Sequence, residues 1–192
     1  MTAYTERMLD GWRDGEHRDV HHDMMHLTLA ISAKTFFDSD GDAVAHDVGV
    51  ALEAIMAYDM DLLNWLFPDG WSPTPSAFRF RRAVRALDQM IYRIIEQHRA
   101  RAHTTEDLLS RLLAARNEDG SRMTDQQLRD EAMTLLLAGH ETTALALSYC
   151  WYLLAQHPHV AHALMAEWAE VLAGRTPTAA DVPRLRYTTW VI

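Results

Sequence analysis

Four consecutive residues, His140, Glu141, Thr142 and Thr143, place an imidazole, a carboxylate and two alcohols inside a long apolar run. An acid beside an alcohol can move protons, because the carboxylate carries an exchangeable proton and a hydroxyl both donates and accepts. The setting makes these residues costly. Gly139, just before them, gives up about 1 kcal/mol of helix propensity relative to alanine, and a carboxylate among leucines needs a partner, water or a proton. The threonine hydroxyls compete for the carbonyl one turn back, which bends helices. Three and four residues from Glu141 stand Ala138, Leu137, Ala144 and Leu145, so no cation of its own helix neutralises it. Its partner is expected elsewhere in the fold, in solvent or in a ligand. His140-Glu141 also opens the H-E-x-x-H pattern of zinc peptidases. Ala144 stands where the second histidine is needed, so the pair of imidazoles that pattern requires is missing.

The element that positions these groups is legible from its ends. Thr124 and Gln127 have the spacing of a capping box, and Asp125 favours the helix dipole in the first turn. His157 precedes Pro158 and is pushed out of the helical region. A helix from Asp125 to about Gln156 follows, roughly 45 Å long at 1.5 Å per residue. From Ala132 to Ala155 it is apolar nearly all round, which predicts a helix crossing a protein core. A membrane span is disfavoured although Tyr149, Trp151 and Tyr152 imitate an interfacial belt. His140 and Glu141 lie near its centre, and the flanks lack basic clusters. Helical spacing of apolar residues also marks Tyr4 to Trp12, Val20 to Phe37, His46 to Leu66, Phe80 to Ala102, Asp107 to Ala115 and Val160 to Leu172. No alternating strand pattern stands out, so the chain reads as all-α.

Composition bounds the function. With 192 residues, 48% of them hydrophobic, the chain supports one globular helical unit, without repeats or low-complexity tracts. A formal net charge of −9 argues against a nucleic-acid surface, whose affinity rests on basic side chains. The first residues, Met1-Thr2-Ala3-Tyr4, do not read as a signal peptide, and one cysteine permits no internal disulfide.

Ala138-Gly139-His140-Glu141-Thr142-Thr143 resembles the A-G-x-[DE]-T-[ST] signature on the long distal helix of the cytochrome P450 family, the haem-thiolate monooxygenases. Leu135-Leu136-Leu137 before it and the run from Trp151 to Pro158 after it resemble the flanks of that helix. The resemblance covers nearly the whole chain as the central helical region of that all-α fold. It implies that Ala138, Gly139 and Thr142 contact haem b, with Gly139 letting the helix lie close over the haem face. Distortion at Glu141-Thr142 would open a groove for dioxygen. Thr142 would hydrogen-bond the iron-bound peroxo group, and Glu141 would feed protons inward from solvent. Implied partners are an apolar small-molecule substrate, O2 and a separate electron donor, either a ferredoxin or a flavoprotein reductase. A soluble, cytoplasmic protein is expected, unless an anchor precedes Met1.

The family's iron ligand is a cysteine in a glycine-rich loop, and Cys150 does not match it. It lies between Tyr149 and Trp151 inside the distal helix and reads as a small buried hydrophobe. The family's Glu-x-x-Arg helix and its Trp-x-x-x-Arg pattern are not found at their expected places. Glu96 and Arg99 have the first spacing but read as an exposed i, i+3 ion pair on an earlier helix. Residues 1–192 are therefore expected to be the middle portion of one such domain, with no second domain and no metal ligand of its own. This piece alone is expected to be inactive, to bind haem weakly or not at all, and to self-associate through an uncovered apolar face. The alternative is a non-catalytic helical interaction or regulatory module that keeps the distal helix as scaffold.

Other features carry smaller expectations. Phe67 to Thr74 and Pro75 form a turn-rich linker, which by resemblance corresponds to a lid over the substrate channel. Met56, Met60, Trp65 and Phe67 beside it are candidate substrate contacts, although such a stripe also suits plain core packing. Arg79, Arg81, Arg82 and Arg85 read as a solvated face or an anion contact. His17 with His21, and His22 with His26, have metal-ligand spacing, but with no cysteine beside them a solvated face is the simpler reading.

Overall fold

The computed structural model describes residues 1–39, 41–61, 73–100 and 107–192. They contain α1 (Thr2–Asp10), α2 (Val20–Phe37), α3 (Gly41–Asp59), α4 (Pro75–Ala100), α5 (Leu108–Ala114), α6 (Asp125–Gln156), α7 (Pro158–Leu172) and α8 (Arg186–Val191), with a 3-10 turn over Ala179–Arg184. No strand occurs among the described residues. The bounds of α2 and α6 agree with the sequence expectation. At the start of α6, Gln127 N donates to Thr124 Oγ1 at 3.3 Å and Thr124 N to Gln127 Oε1 at 2.9 Å, the reciprocal pair of a capping box. Helix α4 begins earlier than its apolar spacing indicated. Thr74 Oγ1 accepts from Ala77 N at 3.2 Å and Pro75 occupies the first helical position, where its missing N–H costs nothing.

By their internal contacts the residues fall into two compact units, one of residues 28–140 and one of residues 1–27 with 141–192. In the first, α3 packs along α4, and Tyr58 stacks on Phe80 with ring centroids 4.5 Å apart. Leu87, Ile91, Ile94, Ile95 and His98 repeat at three- and four-residue intervals on α4 and are buried, as are Leu128, Ala132, Met133 and Leu136 on α6. Each large apolar side chain so buried contributes about 1.5–3 kcal/mol. Arg129 of α6 pairs with Asp88 of α4. Arg99 pairs with Asp125 at 2.5 Å, which corrects the expected partner Glu96: the acid at the start of α6 meets the guanidinium at the end of α4. His98 is buried, with Nδ1 2.9 Å from the Ile94 carbonyl and Nε2 3.0 Å from Asp107, whose other oxygen accepts from Ser110 N to cap α5.

The second unit is stapled by polar side chains. Asp181 receives both arms of Arg175, and Thr178 N and Oγ1 donate to it at 2.9 and 2.8 Å. The Arg175 guanidinium, then the Thr178 donors, hold the Asp181 carboxyl well below the usual carboxylate range against the desolvation that opposes them. Glu167 of α7 accepts from Tyr187 N, Thr188 N and Thr188 Oγ1, so it caps the otherwise unsatisfied start of α8. Trp12 lies 5.7 Å from Trp151 between ring centroids, with the Arg18 guanidinium 5.7 Å from the Trp12 ring. The turn and α8 were not anticipated, because six-residue elements are too short to show a period. Among the described residues no helix is long and apolar enough to cross a membrane.

Candidate functional site

Within residues 28–140, α2 seats the last turn before the acid and alcohols. His140 is fully buried, and its Nδ1 lies 2.9 Å from the Leu136 carbonyl. A carbonyl only accepts, so Nδ1 carries a proton, while Nε2 is buried without a hydrogen-bond partner among the described residues. The Thr28 hydroxyl, also buried, donates to the His140 carbonyl at 3.1 Å. A Cβ built on Gly139 would stand 3.1 and 3.3 Å from two Phe36 ring carbons and 3.8 Å from Ser32 Oγ. The missing side chain of Gly139 thus lets α2 and α6 approach one another, and that contact is its reason in this structure.

Within the other unit, Glu141, Thr142 and Thr143 are exposed while Ala144, directly after them, is fully buried. Glu141 is exposed and forms no ion pair among the described residues. One turn on, Ser148 Oγ donates to the Ala144 carbonyl at 2.7 Å. Its hydrogen being committed, it accepts from His21 Nδ1 at 3.2 Å. Cys150 is half-buried rather than buried, because the second half of α6 has little packed against it among these residues.

Along α6 the two kinds of residue separate by face. Met133, Leu136, His140 and Ala144 recur at intervals of three and four and are buried, while Ala138, Thr142, Leu145 and Tyr149 recur at the same intervals on the exposed side. The exposed face at the signature carries short side chains, a methyl at 138 and a branched alcohol at 142, with the Glu141 carboxylate to one flank. A flat, largely apolar cofactor fits against such a face. The place of the Gly139 Cβ itself is turned toward Phe36.

Met56 on α3 and Met60 just past its end are exposed, while Trp65 and Phe67 lie outside the described residues. His17 precedes α2, and no group of three or more His, Cys, Asp or Glu side chains is placed to hold a metal ion among the described residues. Sequence reasoning missed Thr28 and Phe36. The available signal was weak: a threonine at the centre of an apolar helix asks where its hydroxyl goes.

Known proteins match this chain in sequence and fold. The family model described as Cytochrome P450 matches residues 1–192. The chain is 40% identical to cyclooctatin synthase of Streptomyces melanosporofaciens over 98% of this chain and 42% of that protein. It is 33% identical to cyclooctat-9-en-7-ol 5-monooxygenase of the same organism, over 100% of this chain and 44% of that protein. The solved haem domain of cytochrome P450DA superposes with a TM-score of 0.82 at 26% identity, over 99% of this chain and 42% of that one. The chain spans less than half the length of these relatives.

Proposed function

Since this chain belongs to the cytochrome P450 family, we propose that it forms the oxygen-side helical part of a haem monooxygenase, residues 1–192 being the middle portion of one domain. The observation that carries this reading is the two-faced α6, with Glu141 and Thr142 displayed beside a short-chained surface and His140 turned into the interior. Haem b, when bound, would supply a reducible iron that activates dioxygen, and Cys150 is not proposed as its ligand. Ala138 and Thr142 would lie against the haem. Gly139 acts one step removed, by letting α2 hold that turn in place.

Thr142 Oγ1 is the proton-handling atom nearest the chemistry, able to accept from one side while donating to the other. The Glu141 carboxylate, exposed and next in sequence, exchanges protons with solvent and passes them inward. The buried His140, Leu136 and Ala144 keep water from reaching the site through the helix. The substrate is an apolar hydrocarbon skeleton, a class consistent with a relative whose name specifies an alkenol. Met56 and Met60, together with Trp65 and Phe67, are proposed to line its approach, and electrons arrive from a separate ferredoxin or flavoprotein.

The test uses the full-length protein. Reduction under carbon monoxide is expected to give the red-shifted Soret band of a thiolate-ligated haem, unchanged in Cys150→Ser. A protein that takes up no haem would instead be the helical module without catalysis. Thr142→Ala is expected to keep the band and divert reducing equivalents to hydrogen peroxide, about ten-fold or more relative to product. Unaltered coupling in that variant would remove Thr142 from the proton path.

A further inference from the structure

Between α3 and α4 runs a groove of about 760 Å³, inside the range of roughly 300–1,000 Å³ common to small-ligand sites. Its floor is apolar and buried, made of Ala51, Ala83, Leu87 and Met90. Alanines at 54, 57 and 86 form the walls, and their small size keeps the trough open. The rim carries Arg79, Arg82 and Arg93 from α4 against Glu53 from α3. None of these four side chains forms an ion pair among the described residues, whereas Arg99 and Arg129 both do. In a chain of net charge −9, three unpaired cations around an apolar trough run against the overall balance.

Arg79 and Arg82 are three residues apart and so share one face of α4, spaced to grip a single carboxylate with charge-assisted hydrogen bonds. From Arg79 to Arg93 the helix rises about 21 Å, which gives the trough room for an extended hydrocarbon chain. We infer that this groove binds one free fatty acid, its carboxylate held by Arg79 and Arg82 and its chain lying along Ala54, Ala83, Ala86 and Met90. The rim selects an anion and the floor selects a chain. Glu53 and the net negative charge select a lone amphiphile over an anionic membrane, whose extended charge the whole chain would oppose. An acidic peptide would set backbone polar groups on the apolar floor without partners. These residues all lie within 28–140, and the inference stands apart from the oxygenase reading.

Isothermal titration of the full-length protein with dodecanoate below its micelle concentration tests it, the groove variants distinguishing this site from any other. One site per chain is expected, with dodecanol binding about ten-fold more weakly because it lacks the charge. The surface double variant Arg79→Ala/Arg82→Ala should weaken dodecanoate about ten-fold, while Arg99→Ala leaves it unchanged. Ala86→Trp, filling the trough, should abolish binding with circular dichroism unaltered; Ala54→Trp serves if that variant misfolds. Equal affinity for dodecanol, full binding after the trough is filled, or no saturable binding of dodecanoate would each overturn the assignment. So would binding of anionic phosphatidylglycerol vesicles or of an acidic peptide at this groove in place of dodecanoate.

Discussion

The two halves of α6 make an instructive pair. Residues 125–140 carry charged side chains at Asp125, Arg129, Asp130 and Glu131 and bury Leu128, Ala132, Met133, Leu136 and His140, with Arg129 and Asp125 tied by ion pairs to α4. Residues 141–156 are richer in apolar side chains, yet Ala144 alone among them is fully buried, and Leu145, Tyr149, Trp151, Tyr152 and Leu153 are exposed. The more hydrophobic half is the less covered. Apolar content therefore records how much surface a helix needs covered, while amphipathic spacing records what covers it within these residues. The exposed half makes a broad apolar surface of the kind that draws partners or self-association.

The two halves should differ most on truncating one leucine in each. Leu136→Ala, at a fully buried position, is expected to cost about 2–5 kcal/mol in urea unfolding, whereas Leu153→Ala, 50% exposed, should stay within about 0.5 kcal/mol. Equal losses would mean that the second half is packed after all. Next in size, Gly139→Leu should destabilise by about 1–3 kcal/mol through its clash with Phe36, with most of the loss recovered in a Phe36→Ala background. Additive effects of the two substitutions would show that they do not meet.

Thr28→Val, which keeps shape and removes the hydroxyl on the His140 carbonyl, should cost about 0.5–1.5 kcal/mol, with Thr28→Ser retaining most of it. The smallest effect concerns acid and the other unit. Because the folded Asp181 carboxyl titrates below its unfolded value, its contribution is complete above about pH 3.9 and fades as pH falls further toward the folded value. Arg175→Met should flatten that acid limb in urea midpoints measured downward from about pH 6. A slope as steep as in the parent would acquit the Arg175–Asp181 pair.

What could be read from sequence follows the range of the forces involved. The bounds of α6 were legible because a capping box and a proline are local, and they act within one turn. The exposed acid and alcohol of the signature were legible by type and position. The partner of Arg99 was not: Glu96 is near in sequence, but Asp125 is brought near by the α4–α6 packing. The role of Gly139 was half legible, since the need for a small residue showed in the sequence while the neighbour demanding it, Phe36, stands 103 positions earlier. Thr28 was hidden for the same reason.

The Phe36–Gly139 contact has a consequence for how relatives of this chain diverge. With a ring at 36 and no side chain at 139 the two helices fit, so bulk can move from one position to the other but cannot be added to both. Substitutions at these two sites should be accepted in compensating pairs, and a lineage that shrinks residue 36 gains freedom at 139 without touching the acid and alcohol that follow it.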